Sequence, residues 1–230
     1  MNFTNDYAAQ AAQPHPSQEM VWTASRLVLA LGLVYVILTA IGNVFILTDS
    51  VYYRELSDKL TAARIEEVLE MRSKYWWGMF IAPPIMLVIK STYTTLCIIV
   101  GVIIIGEDIR FDKAFKVVLI AESVFVLAMV VQVAFGLFVL EVRVPDDYAN
   151  FAPLSFLQFF DPATLKLWMK HPLRTLNLFE VAYMLVIAYL LTPLLKKKNY
   201  GQTLGLVGAS YGLGLLLWVV ALAFLLLQVS

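Results

Sequence analysis

Cys97 is the only cysteine in the 230 residues, so no internal disulfide can form. It lies inside an apolar run and says nothing about redox compartment. Histidine is nearly as scarce: His15 falls in the N-terminal tail and His171 in a later loop. Neither stands with cysteines or carboxylates at metal-ligand spacing. No Walker-type or dinucleotide-type glycine pattern occurs, and no Gly-x-Ser-x-Gly elbow. No catalytic, cofactor-binding or metal-binding residue is therefore assigned, and a non-enzymatic role without a cofactor is expected. Charge is also thin. Charged residues make up 15% of the chain, and 17 basic side chains balance 17 acidic ones. That balance gives nucleic acid and acidic partners no footing. The first 25 residues lack both a basic stretch and an apolar stretch of the kind a cleavable signal peptide needs. They are expected to form a short flexible arm, and the Asn2-Phe3-Thr4 sequon carries no weight there.

What the chain has in excess is apolar surface. Hydrophobic residues reach 60% and mean hydropathy is +0.77, against roughly half in a soluble domain. The excess is gathered into five blocks long enough to cross a bilayer, at about 26–48, 79–105, 117–140, 176–195 and 203–227. Each crossing needs about 20 apolar residues. Hydrocarbon leaves backbone groups no partner outside the segment, so these blocks must be helices. An all-α polytopic membrane helix bundle is expected: five transmembrane helices over residues 26–230, with an exterior interfacial helix and the arm at 1–25.

Orientation follows from Lys and Arg in the short loops. Arg110, Lys113 and Lys116 sit in one connection (GEDIRFDKAFK), and Lys196, Lys197 and Lys198 in another (LLKKKNYG). Two basic hairpins separated by two spans share a side, which the rule makes cytoplasmic. The N-terminus is then cytoplasmic and the C-terminus exterior, in a multi-pass protein of the inner, cytoplasmic membrane. Segments 49–78 and 141–175 face outward.

The first exterior segment reads as a charged helix extending the second span upward, ending in the interfacial aromatics Tyr75, Trp76 and Trp77. In the second, Asp161-Pro162 is a helix start, and the helix should end before Pro172. Phe156, Phe159, Phe160 and Trp168 would lay this segment in the interface, as a structural cover or as a lip over a substrate path.

Three further signals lie inside the spans. Gly201, Gly205 and Ala209 recur every four residues, as do Gly208 and Gly212; small residues at that spacing let helix backbones approach. The face would pack against a neighbouring helix of the same chain, or against a second copy. Pro83-Pro84 should kink the second span or delay its start. Lys90, Glu122 and Glu180 are ionisable residues in apolar surroundings and need partners or water. A helical side chain points toward its own N-terminus, so Lys90 is expected to pair with Glu180. Glu122 would then sit near the cytoplasmic boundary, answering Lys113 or Lys116.

RFDKAFKVVLIAES, followed later by NLFEVAYMLVIAYLLTPLLKKKNYGQTLGLVGASYGLGLLLWV, resembles the bacterial branch of the Yip (Ypt-interacting protein) domain family. The resemblance runs from about Ile81 to Trp218, with Asn177-Leu178-Phe179, the lysine turn and Trp218 at matching places. It departs from the family where Ala188 replaces a frequent glycine. The family is non-enzymatic and five-span, and some bacterial members resemble accessory subunits of ABC-type exporters. The resemblance thus implies a subunit partnered by the lipid bilayer and by other integral membrane proteins, an ABC-type exporter among them. A small solute or ion transporter with a path lined by Lys90, Glu122 and Glu180 is the alternative.

Overall fold

The computed structural model describes residues 16–162, 164–196 and 198–229. The part of the expected arm at 1–15 lies outside them, but from Pro16 the chain is already helical. Ten α-helices follow among the described residues: α1 (Pro16–Ile41), α2 (Asp49–Leu56), α3 (Ala62–Lys74), α4 (Gly78–Ile104), α5 (Phe111–Ala121), α6 (Ser123–Phe138), α7 (Pro145–Asn150), α8 (Leu167–Thr175), α9 (Leu178–Leu191) and α10 (Tyr200–Val229). No strand is formed by the described residues, and one isolated bridge joins Ser155 to Asn177. Four segments are long and apolar enough to cross a membrane: Ala24–Ile46, Gly78–Ile104, the α5–α6 run Phe111–Phe138, and Tyr200–Gln228. Leu178–Leu194 is apolar but shorter.

That short helix is the centre of the bundle. Tyr183, Ile187, Ala188 and Leu191 of α9 are fully buried, among Ile98 and Val102 of α4, Val117 and Val118 of α5, and Val207 and Tyr211 of α10. The opposite face of α9, with Leu178, Val181, Leu185 and Tyr189, is exposed.

The turn between α4 and α5 shows why the charged knot interrupts two apolar runs. Gly106 takes φ +73°, its N–H donates to Ile103 O, and the Glu107 N–H donates to Val102 O. This is a Schellman stop, which a residue with a Cβ adopts only with strain. α5 then begins at Phe111, six residues before the apolar run, because its early turns are amphipathic. Ala114, Val117, Val118 and Ala121 are buried, while Lys113 and Lys116 stand away from that core. The Lys196 backbone N–H donates to the Glu107 carboxylate at 2.9 Å, so both basic hairpins lie at one end of the bundle.

At the other end, Tyr148 of α7 sits where a Cβ on Gly42 or Gly136 would meet its ring, and Gln132 donates to its carbonyl. Here two expectations fail, and for a third one of its two alternatives is excluded. The first exterior segment is not an upward continuation of α4. It is two helices, α2 and α3, with a break at 57–61 and turns at Tyr75–Trp77. Arg72 clasps them to the end of the first span through Asp49 and the Leu47 carbonyl. Asp161-Pro162 opens only a turn. The helix starts at Leu167 and runs through Pro172, which lacks the N–H that would reach back to Trp168 and so forfeits one intrahelical bond. Nor do Pro83 and Pro84 delay α4, which begins at Gly78 and contains both. A Cβ at Gly32 of α1 would lie 3.5 Å from Pro84, an ordinary contact, so α1 packs directly beside the proline pair.

Candidate functional site

The ionisable residues inside the spans do converge, but with other partners than expected. Lys90 of α4 places Nζ 3.2 Å from Glu122 Oε1 and 3.3 Å from Oε2. The Tyr183 hydroxyl of α9 donates to the same Oε1 at 2.9 Å. Tyr35 of α1 faces that carboxylate as well. The ammonium also lies 3.3 Å from the Phe125 ring centroid, a cation–π contact. Glu180 takes a separate partner: the Tyr211 hydroxyl of α10 donates to its Oε2 at 2.8 Å. Tyr183 and Tyr211 meet edge to face at 5.4 Å, which joins the two halves of the cluster.

The Lys90–Glu180 pair expected from side-chain direction is therefore replaced by Lys90–Glu122, whose true depth the direction argument does not outweigh. With the third span begun at Val117, Glu122 is placed near a membrane surface. With the helix begun at Phe111 it lies eleven residues in, about 16 Å at 1.5 Å per residue. Lys90 is twelve residues into α4, about 18 Å, so the two meet in mid-span. Glu122 is 1% exposed, and neither Lys113 nor Lys116 reaches it. Glu180 instead occupies the first turn of α9, where Asn177 caps its N–H at 2.8 Å. A carboxylate is favoured at that helix end.

The sequence alone did not single out the hydroxyl partners Tyr183 and Tyr211. A buried tyrosine hydroxyl in an apolar span needs an acceptor, and that signal was there to use. Ser91 Oγ and Thr94 Oγ1 are buried and have no hydrogen-bond partner. Thr94 stands beside Tyr183 without reaching hydrogen-bond geometry.

The glycine face is also displaced. A Cβ on Gly205, Gly208 or Gly212 would meet nothing within 4 Å, and one on Gly201 only the Asn199 side chain. The close seam between α4 and α10 lies one stripe away. There a Cβ on Gly101 would fall 2.6 Å from Ser210 Cβ, and one on Gly214 2.6 Å from Cys97 Sγ. The small residues in contact are thus Cys97 and Gly101 against Ser210 and Gly214, each pair four apart. Beside this seam runs an apolar groove of about 660 Å³ that reaches Gly205 and Ala209. Phe156, Phe159 and Phe160 are exposed, Phe159 at 82%, whereas Trp168 is half-buried.

No family model matches the chain, and neither curated proteins nor solved structures give a match. Fold and hydropathy together define the class: an all-helical, multi-pass membrane protein.

Proposed function

We propose that this protein is a non-catalytic subunit of the inner membrane that crosses it five times. On this reading it packs as an accessory or scaffolding element against other integral membrane proteins. The observation that carries the reading is the outward face of α10. Its own bundle already uses Ser210 and Gly214, yet Gly205, Gly208 and Gly212 present a second small-residue row with no neighbour within 4 Å. In lipid there is no hydrophobic force between helices, and association relies on close backbone approach at such rows. The occupant is a transmembrane helix of a different subunit, and the family resemblance points to an ABC-type exporter as its source.

The tagged protein, purified in mild detergent, should bring down a stoichiometric membrane partner. Gly205→Leu or Gly208→Leu should abolish that association while leaving the chain folded, and Leu216→Val should change nothing. Association that survives both leucine variants would remove the proposal, and self-association lost in them would make the occupant a second copy.

A second reading, a solute or ion path, is supported by the convergence of Lys90, Glu122 and Glu180 in mid-bundle. Flux through the protein alone in liposomes, lost in Glu180→Gln, would favour it.

A further inference from the structure

Between α4, α9 and α10, in the half of the bundle away from the basic hairpins, lies a cavity of about 270 Å³. Tyr93, Trp218 and Tyr211 supply aromatic walls, and Lys90, Thr94 and Glu180 supply the polar groups. The polar groups are not equally free. The Lys90 ammonium is held by both oxygens of Glu122 and covered by the Phe125 ring. Glu180 receives one side-chain hydrogen bond, at Oε2, so its second oxygen keeps its acceptor capacity. Thr94 Oγ1 is buried and unpartnered. Counting charges, one ammonium faces two carboxylates, and the uncompensated one lines the cavity.

We infer that this cavity binds an amphiphilic organic cation, an ammonium head with a compact apolar body. Glu180 is the counter-ion, and Tyr93, Tyr211 and Trp218 are the aromatic walls. Each feature bears on the choice. An anion would find the one nearby cation already paired. A bare metal ion would want six or more oxygens, and the walls are mostly carbon. An ammonium with attached carbon suits both parts, since aromatic faces attract it and an unpaired carboxylate completes the charge. The orphaned Thr94 hydroxyl offers a polar contact that nothing in the bundle uses. Met86, Ile89 and Trp218, about half exposed, open the cavity sideways on the outer surface of the bundle, so the apolar body can enter from lipid. The site stands whether or not the outer face of α10 holds a partner.

The test is equilibrium dialysis of labelled benzyltrimethylammonium against the full-length protein in nanodiscs, with empty nanodiscs subtracted. Saturable binding is expected, and Glu180→Gln should weaken it by about tenfold or more, the equivalent of ~1.4 kcal/mol. Glutamine can still accept the Tyr211 hydrogen bond. Trp218→Leu, at the outer rim, should weaken binding without disturbing the fold, which keeps the test decisive should Glu180→Gln fail to fold. Neopentylbenzene, the neutral isostere, should bind equally to wild type and Glu180→Gln. Absence of saturable binding, affinity unchanged in both variants, or preference for benzenesulfonate would each overturn the site.

Discussion

Lys90 and Glu122 show how much a single pair can decide. An isolated charge at the bilayer centre costs on the order of 3 kcal/mol on insertion scales. Removing one partner of a buried pair strands the other at a cost of about 3–5 kcal/mol. Lys90→Glu should therefore lower folded yield and thermal stability sharply, and adding Glu122→Lys should restore most of the loss. Glu180→Lys should not restore it; rescue by that change instead would mean that the pairing is wrong. Tyr183→Phe deprives the same carboxylate of a donor and should cost about 1–3 kcal/mol, measured by thermal unfolding in detergent. At this scale the sequence named the ionisable residues but not their partners. Side-chain direction chose Glu180, but pairing depends on depth as well, and depth was taken from where the apolar run begins. Charged residues in the first turns of α5 hid six residues of helix, which moved Glu122 from mid-span to an apparent boundary.

At the scale of elements, hydropathy located α4 and α10 within about three residues, because lipid enforces both composition and length. It was weaker where protein replaces lipid. The central helix α9 has only 14 residues, and the burial of its Tyr183–Ile187–Leu191 face follows from neighbours that no local window contains. The exterior segments were least legible, because Arg72 and Tyr148 organise them through contacts distant in sequence. Small-residue spacing was recognised on α10, but the stripe that packs within the chain is the adjacent one: every fourth residue describes two adjacent rows, and only α4 tells them apart. Gly101→Ala and Gly214→Ala should lower the melting temperature of the monomer, because each adds a methyl group 2.6 Å from a neighbouring side-chain atom and overpacking typically costs about 1–3 kcal/mol. Gly208→Ala should leave the monomer's melting temperature unchanged. Equal destabilisation by all three would place the seam elsewhere.

For the whole molecule, the account rests on how the chain is threaded through the bilayer. The hydrogen bond from Lys196 to Glu107 ties the α9–α10 turn to the α4–α5 turn. The bridge between Ser155 and Asn177 ties the start of α9 to segment 141–175. In the proposed five-span arrangement α9, short as it is, carries the chain from one side to the other, and α10, at 30 residues or about 45 Å, carries it back. The most direct measurement is labelling of single cysteines with an impermeant thiol reagent in whole cells, in a Cys97→Ala background. Asp108→Cys and Asn199→Cys should both be protected until the membrane is opened, whereas Asp58→Cys and Thr164→Cys should react from outside. Labelling of Asp108→Cys and Asn199→Cys from opposite sides would contradict the shared end, the crossing of α9 and the five-span protein built on them.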